Sequence, residues 1–255
     1  MANFIVITRA GPVLHLTINR PDKKNALTQA MYAELADQLD SSDRDPTIRI
    51  VTLTGAGDYF SSGNDVHDFD AFIGFDDTTP VVRFIKAIAN CRKPIVAIVN
   101  GPAIGIGFTL LLHCDLVYAA DTVFFNAPFT TLGLCPEAGS SYWLPLLAGY
   151  QRAAEILLLA ERFDAQMAVE LGLVNKVCKA TELQSTVDAV LTRLRELPID
   201  GLLTVKRLMK QAHRKSVEQT IQAELQEFAW LLQGEAFAEA FAAFNEKRKP
   251  IFHTD

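Results

Sequence analysis

The 255-residue chain carries 24 lysines and arginines against 30 acidic residues, a net charge of −6, which argues against a broad nucleic-acid-binding face. Its 49% hydrophobic and 21% charged content belongs to a globular chain long enough to bury a large core, and excludes a disordered one. Four cysteines without C-x-x-C pairing point to reduced thiols and no metal site.

In chain order, residues 4–8 and 13–18 read as strands of a hairpin around Ala10-Gly11-Pro12. Asn19-Arg20-Pro21-Asp22 is turn chemistry, followed by Lys23-Lys24-Asn25. Thr28 is a candidate N-cap for a helix to about Asp43, with Met31, Leu35 and Leu39 on one face. Residues 48–53 form the next predicted strand, and strand, helix, strand implies a parallel crossover. Residues 81–92 predict an amphipathic helix leading into a buried strand at 95–99. An apolar helix at 108–112 and short strands at 116–119 and 123–125 follow. A helix is expected from Gly139 to Leu147, and Asp164 caps another at 165–171 that Gly172 ends. The rest reads as a strand at 174–177 and helices near 181–196, 199–211 and beyond, with Arg207, Lys210, Arg214 and Lys215 on a solvated basic face. Phe228, Phe237, Phe241 and Phe244 near the end need cover from the protein body or another subunit. The N-terminus lacks a basic start followed by a long apolar region, and His113 and Asp115 end the longest apolar run short of membrane-spanning length. The terminal IFHTD is not a peroxisomal address, so a cytoplasmic protein with no membrane partner is expected.

Three features carry candidate chemistry. After the 95–99 strand, Asn100-Gly101-Pro102 and then Gly105 and Gly107 make a turn at a helix N-terminus, where free N–H groups and the macrodipole favour an anion. A P-loop would need a lysine where Phe108 stands, and a dinucleotide fingerprint a third glycine where Leu110 stands. An oxyanion hole or a ligand-free tight turn remain. The loop 55–65, rich in Gly, Ser, Asn and Asp, also follows a strand, and either faces the same crevice or caps the next helix. Glu137 stands alone among apolar and small neighbours, either solvated at a helix start or held in a dry pocket with a raised pKa.

Taken together, Asn19-Arg20-Pro21 with Asn25-Ala26-Leu27, Phe60-Ser61-Ser62-Gly63-Asn64-Asp65, Lys93-Pro94 through Asp115, and Glu246-Lys247-Arg248-Lys249 resemble the crotonase superfamily in order along nearly the whole chain. The resemblance implies an α/β fold with a ββα spiral core over residues 1–195 and a helical, trimer-forming region over 196–255. It also implies an acyl-CoA thioester substrate, coenzyme A being part of that substrate and no cofactor needed, and a homotrimer or dimer of trimers. The oxyanion hole would be the backbone N–H groups of Ser62 and Ile106. Substrate contacts would fall at Lys24, Ala26, Ser61, Gly63, Asn64, Asp65, Val66, Gly105, Phe129, Leu132 and Lys247. Family hydratases use two glutamates, at positions that here hold Thr109 and Phe129. The stretch from Ala127 through Glu137 to Ser141 resembles peroxisomal-type 3,2-enoyl-CoA isomerases, in which the equivalent of Glu137 is the sole base. The expectation is therefore a 3,2-enoyl-CoA isomerase of unsaturated fatty-acid oxidation. A ring-substrate isomerase, a weak hydratase or a catalytically silent acyl-CoA-binding protein are the alternatives. His113-Cys114 reads as a buried helix end rather than a dyad.

Overall fold

The computed structural model describes residues 3–71 and 75–252, positions 69–71 by backbone only; the final three residues of IFHTD lie outside the described residues. Strands β1 (Ile5–Ala10) and β2 (Val13–Ile18) pair antiparallel, with Ala10 facing Val13 across the turn. Helix α1 (Gln29–Arg44) starts where Thr28 Oγ accepts the Met31 N–H at 3.4 Å, and buries Met31, Tyr32, Leu35, Ala36 and Leu39. It crosses over to β3 (Ile50–Gly55), parallel to β2. The strand begins later than the sequence suggests because the chain is still turning: the Ile48 N–H bonds Asp45 O, and Arg49 and Ile50 both reach Pro12 O.

Helix α2 (Pro80–Asn90) opens on a proline, which needs no hydrogen-bond partner there, and buries Val81, Val82, Phe84, Ile85 and Ile88. Strand β4 (Ile95–Val99) is buried at all five positions, the pattern of a strand covered on both faces. It lies between β3 and β6 (Leu116–Ala120) in a six-stranded sheet of order β1-β2-β3-β4-β6-β9, β9 being Lys176–Cys178. Between β4 and β6 run β5 (Ala103–Ile104) and α3 (Ile106–Thr109), the latter continued by a 3-10 turn to His113, so the helix starts two residues before the expected 108. A second sheet joins β5, β7 (Phe124–Asn126) and β8 (Phe163–Asp164). Helices α4 (Ser140–Ala148) and α5 (Tyr150–Ala154) fill the connection from β7 to β8.

Helix α6 (Ala165–Glu170) is capped by Asp164, whose carboxylate accepts the Met167 N–H at 2.8 Å. Strand β9 (Lys176–Cys178) follows, displaced from 174–177 because the Leu173 and Val174 N–H groups close the end of α6 on Ala168 O. The chain ends in α7 (Leu183–Glu196), α8 (Ile199–Gln211), α9 (Arg214–Leu231) and α10 (Glu235–Glu246). The fold is thus the expected α/β arrangement with a helical C-terminal part. One expectation fails here. Lys210 is not on a solvated face: it is half-buried and its ammonium donates to Ala89 O and His113 O, both at 3.2 Å, tying α8 to the core. Arg207, Arg214 and Lys215 are exposed.

The two sheets meet where the loop after β3 touches the turn after β4. Ser61 forms a bridge with Ala103, and the Ile104 N–H bonds Ser61 O at 2.9 Å. A Cβ on Gly107 would stand 2.7 Å from Ser61 O and one on Gly63 (φ +95°) 2.9 Å from Ile104 O. The bare backbones are what let these loops close on each other. Gly107→Ala should therefore lose roughly 1–3 kcal/mol of stability in denaturant titration. Gly201→Ala, at an exposed position of α8 with no described atom within 4 Å of the added methyl, should gain about 0.5–1 kcal/mol.

Candidate active site

The Asn19-Arg20-Pro21 turn proves to be scaffolding. Asn25 sits in the left-handed region (φ 58°) and is fully buried, with its side-chain oxygen accepting the Arg20 N–H at 2.9 Å. Its amide donates to Ala56 O at 2.8 Å and Tyr59 O at 2.6 Å, binding the turn to the loop after β3. Arg20 pairs with Asp65 at 2.6 Å and also donates to Ala26 O at 3.2 Å. Burial opposes ionisation of Asp65, but Arg20 and the His67 N–H outweigh it and hold its carboxyl below the usual range. The Ser61 hydroxyl donates to Asn25 O at 2.9 Å and accepts the Gly63 N–H at 3.2 Å. The polar side chains of Ser61 and Asp65 are therefore spent on shaping the loop.

The donors that face outward from this scaffold differ from those expected. The Ser62 N–H is committed to Lys24 O at 3.0 Å. Asn64 bridges Leu27 through its neighbours, Gly63 O accepting from Leu27 and the Asp65 N–H donating to Leu27 O, and among the described residues its own N–H has no acceptor. Backbone alternation explains the shift: with Ser62 turned toward Lys24, the open N–H falls two residues later. On the facing loop, Ile106 is the first residue of α3 after Gly105 (φ 56°), where a helical N–H has no partner inside the helix. Gly63 lies against Ile104 and Gly105, so the Asn64 and Ile106 peptides flank one junction.

Glu137 completes the group. It is 5% exposed, its Oε1 has no hydrogen-bond partner among the described residues, and its pKa is raised from an ordinary 4.5 to about 8. Burial is the main cause, the negative charge of Glu224 adds to it, and a hydrogen bond from the Asn64 side chain opposes it. The dry-pocket alternative for Glu137 is thus the one observed. Immediately after it, Ala138 (φ 58°) and Gly139 (φ 72°) are both left-handed and reverse the chain into α4. Holding a non-glycine residue there requires support from outside. Glu224 on α9 supplies it, accepting the Gly139 N–H at 2.5 Å, the Ser141 N–H at 2.9 Å and the Ser141 hydroxyl at 2.5 Å. His113 supplies the rest. It is buried, and desolvation, with help from Lys210, depresses its pKa to about 3, so its neutral Nε2–H donates to Ala138 O at 2.6 Å.

Phe129 is buried and Leu132 half-buried on the segment leading to Glu137, and Thr109 is fully buried with a hydroxyl that has no partner among the described residues. Val66 begins a 3-10 turn and is half-buried. Lys24 (φ 53°) is exposed with its ammonium 5.4 Å from the Tyr59 ring centroid, and Lys247 (φ 55°) is exposed at the end of α10. A cavity of about 1180 Å³ lies between α2, α8 and α9, lined among others by Lys206, Lys210 and Trp143 rather than by Glu137. Its buried lysines are already engaged, Lys206 with Asp115 at 2.5 Å. Among the described residues no three His, Cys, Asp or Glu side chains group as a metal site, and no helix is long and apolar enough to cross a membrane.

Two contributors escaped the sequence reading, Glu224 and Tyr32, whose hydroxyl donates to Asn64 Oδ1 at 2.6 Å. Each left a signal: Glu224 interrupts the apolar stripe Ile221, Leu225, Phe228, and Tyr32 sits beside Met31 on the buried face of α1.

A family model described as enoyl-CoA hydratase/isomerase matches residues 8–255. Rat enoyl-CoA delta isomerase 2 is 38% identical over 84% of this chain, which spans only 56% of that protein's length. The 1,2-epoxyphenylacetyl-CoA isomerase of Escherichia coli K12 is 34% identical over 99% of both chains, and the 2,3-dehydroadipyl-CoA hydratase of that strain 31% over 97% and 98%. The crystal structure of an enoyl-CoA hydratase/isomerase from Pseudoalteromonas atlantica T6c superposes with a TM-score of 0.94 at 42% identity, covering 98% of this chain and all of that one. With two facing backbone loops and a buried carboxylate in a matching fold, the chain belongs to the enoyl-CoA hydratase/isomerase family, within the crotonase superfamily, with enoyl-CoA isomerases among its relatives.

Proposed function

We propose that the chain is an isomerase that converts 3-enoyl-CoA to trans-2-enoyl-CoA in the oxidation of unsaturated fatty acids. The observation that carries this reading is a buried carboxylate with one oxygen that has no partner among the described residues. Among the described residues one Glu137 oxygen is unpartnered in a dry site, while Glu224 and Asp65 nearby have theirs engaged. Positions 109 and 129, where the resemblance places the two glutamates of hydratases, hold a threonine and a phenylalanine. Orienting and splitting water needs acid and base at both carbons, whereas moving one proton along a chain needs a single group.

In this scheme the Glu137 carboxylate takes a proton from C2 of the 3-enoyl thioester. The electron pair shifts toward the thioester oxygen, giving a dienolate, and the Asn64 and Ile106 N–H groups donate to that oxygen as its charge develops. Glu137 then returns the proton to C4, the C2–C3 double bond forms and the thioester carbonyl is restored. The oxyanion hole is proposed at Asn64 rather than Ser62 because the Ser62 N–H already has an acceptor. Lys24 and Lys247 are proposed as the basic rim for the phosphates of coenzyme A. Exposed Val205, Leu208 and Met209 on α8, with Trp230 and Phe244, favour assembly as a trimer or pair of trimers, in which subunits would cover them.

A second reading, isomerisation of a ring-bearing acyl-CoA, is favoured by the end-to-end match to the epoxyphenylacetyl-CoA isomerase. An assay offering 3-enoyl-CoA, 2-enoyl-CoA and a ring-bearing thioester in parallel decides among isomerase, hydratase and ring chemistry. Conjugated product from the first alone supports the proposal, and turnover of only the others overturns it.

Glu137→Gln should lower 3-enoyl-CoA isomerisation by at least about 100-fold with acyl-CoA affinity nearly unchanged, since the lost interaction belongs to the transition state. Its stability should diverge from the parent's in a defined window. From about pH 4.5 to about 8 the folded chain keeps a proton that the unfolded chain loses, so the parent's stability falls as pH rises through that window. Chemical denaturation should show the glutamine variant gaining on the parent there and keeping the gain above pH 8. Glu224→Gln removes a neighbouring negative charge, which makes ionisation of Glu137 easier. The rise of kcat/KM with pH should therefore move below 8 in that variant.

A further inference from the structure

Tyr32 is fully buried on α1 and its ring is held 5.5 Å from that of Phe84. Its hydroxyl meets Asn64 Oδ1 at 2.6 Å, and the other side of the same amide faces Glu137. Asn64 thus carries two separate functions, an open backbone N–H and a side chain directed at the base. A side-chain amide has one accepting and one donating end, and rotation by half a turn exchanges them. Donation by a carboxamide favours an ionised carboxylate, while an amide oxygen against the same carboxylate repels it.

We propose that Tyr32 is a positioning residue for proton transfer: by donating its hydroxyl proton to Asn64 Oδ1, it fixes the amide with its NH2 group toward the Glu137 carboxylate. The inference rests on the reading of Glu137 as the base. Tyr32 needs no contact with substrate for this. A hydroxyl fixed on α1 and a base on the segment before α4 are linked through the loop that also supplies the Asn64 N–H. Without the hydroxyl, either orientation leaves one end of the amide facing an apolar ring, and nothing selects the orientation that assists ionisation.

The other groups around this chain are accounted for. Glu224 on α9 opposes ionisation of Glu137, and Asp68, after the loop, accepts the Gln29 N–H at 2.8 Å and faces Tyr32. His113 stays neutral against Ala138 O. Cys135 is a thiol with its pKa pushed up to about 12 by burial, so it carries no charge over the pH range in question. Against this fixed background, loss of the tyrosine hydroxyl should raise the Glu137 pKa above about 8.

The test is Tyr32→Phe, with the Glu137 carboxyl titrated directly by carbon-13 NMR of protein labelled at glutamate, its signal assigned by absence in Glu137→Gln. The expected results are an upward shift of that titration, kcat/KM on 3-enoyl-CoA reduced on the order of three- to tenfold at pH 7, and recovery of most of the loss above pH 9. An unshifted titration, or a rate loss equal at all pH values, overturns the proposal and leaves Tyr32 a packing residue. Should the phenylalanine variant fail to fold, Asn64→Ala, which keeps the backbone N–H, should raise the same titration, and an unchanged one overturns the proposal. Because the titration is read without turnover, it stands apart from the base assignment: full activity in Glu137→Gln would remove that assignment whatever Tyr32→Phe shows.

Discussion

The closure of two backbone loops on each other is the constraint from which the site follows. Ser61 O receives the Ile104 N–H, Ile104 O presses on Gly63, and Ser61 O lies where any side chain at Gly107 would have to go. That contact joins the two sheets at the carboxyl ends of β3 and β4, where open α/β sheets present their crevices. It also brings an unengaged N–H from each loop to one junction. The surrounding polar groups, Asn25, Arg20, Asp65 and the Ser61 hydroxyl, are consumed in holding the backbone there. Glycine here therefore serves protein–protein backbone contact first, and access for a ligand second.

A dry carboxylate is the second constraint, and it sets the structure against itself. Burying Glu137 with one oxygen unpartnered among the described residues disfavours its charged form, and the ionised form is the one a base needs. The pKa of about 8 is a compromise between burial and Glu224 on one side and the Asn64 amide on the other. Glu224 has a double role in that balance. Its carboxylate holds the strained turn at Ala138 and Gly139 together, and its charge makes the neighbouring acid weaker. The protein accepts the electrostatic cost because the same group fixes where the base sits.

Much of this was legible in the chain. Alternation and β-branched runs marked β1 to β4, Thr28 and Asp164 marked two helix starts, and Glu137 stood out because its neighbours are apolar. What the sequence hid depended on direction rather than composition. Which N–H of the loop remains open is decided by backbone partners, Lys24 O for Ser62 and, among the described residues, none for Asn64, and no residue type announces that. Lys210 read as solvated because its face is basic, yet its ammonium finishes the carbonyls of Ala89 and His113. Glu224 lies 87 residues from Glu137, so only its intrusion into an apolar stripe hinted at its place.

That separation has a temporal meaning. Of the two groups that hold the left-handed reversal after Glu137, His113 is made before it and Glu224 only with α9. A chain ending before that point has β1 to β9 in sequence but lacks the acceptor of the Gly139 and Ser141 N–H groups. The turn that carries the acid is thus completed by a carboxylate 87 residues further along the chain than Glu137.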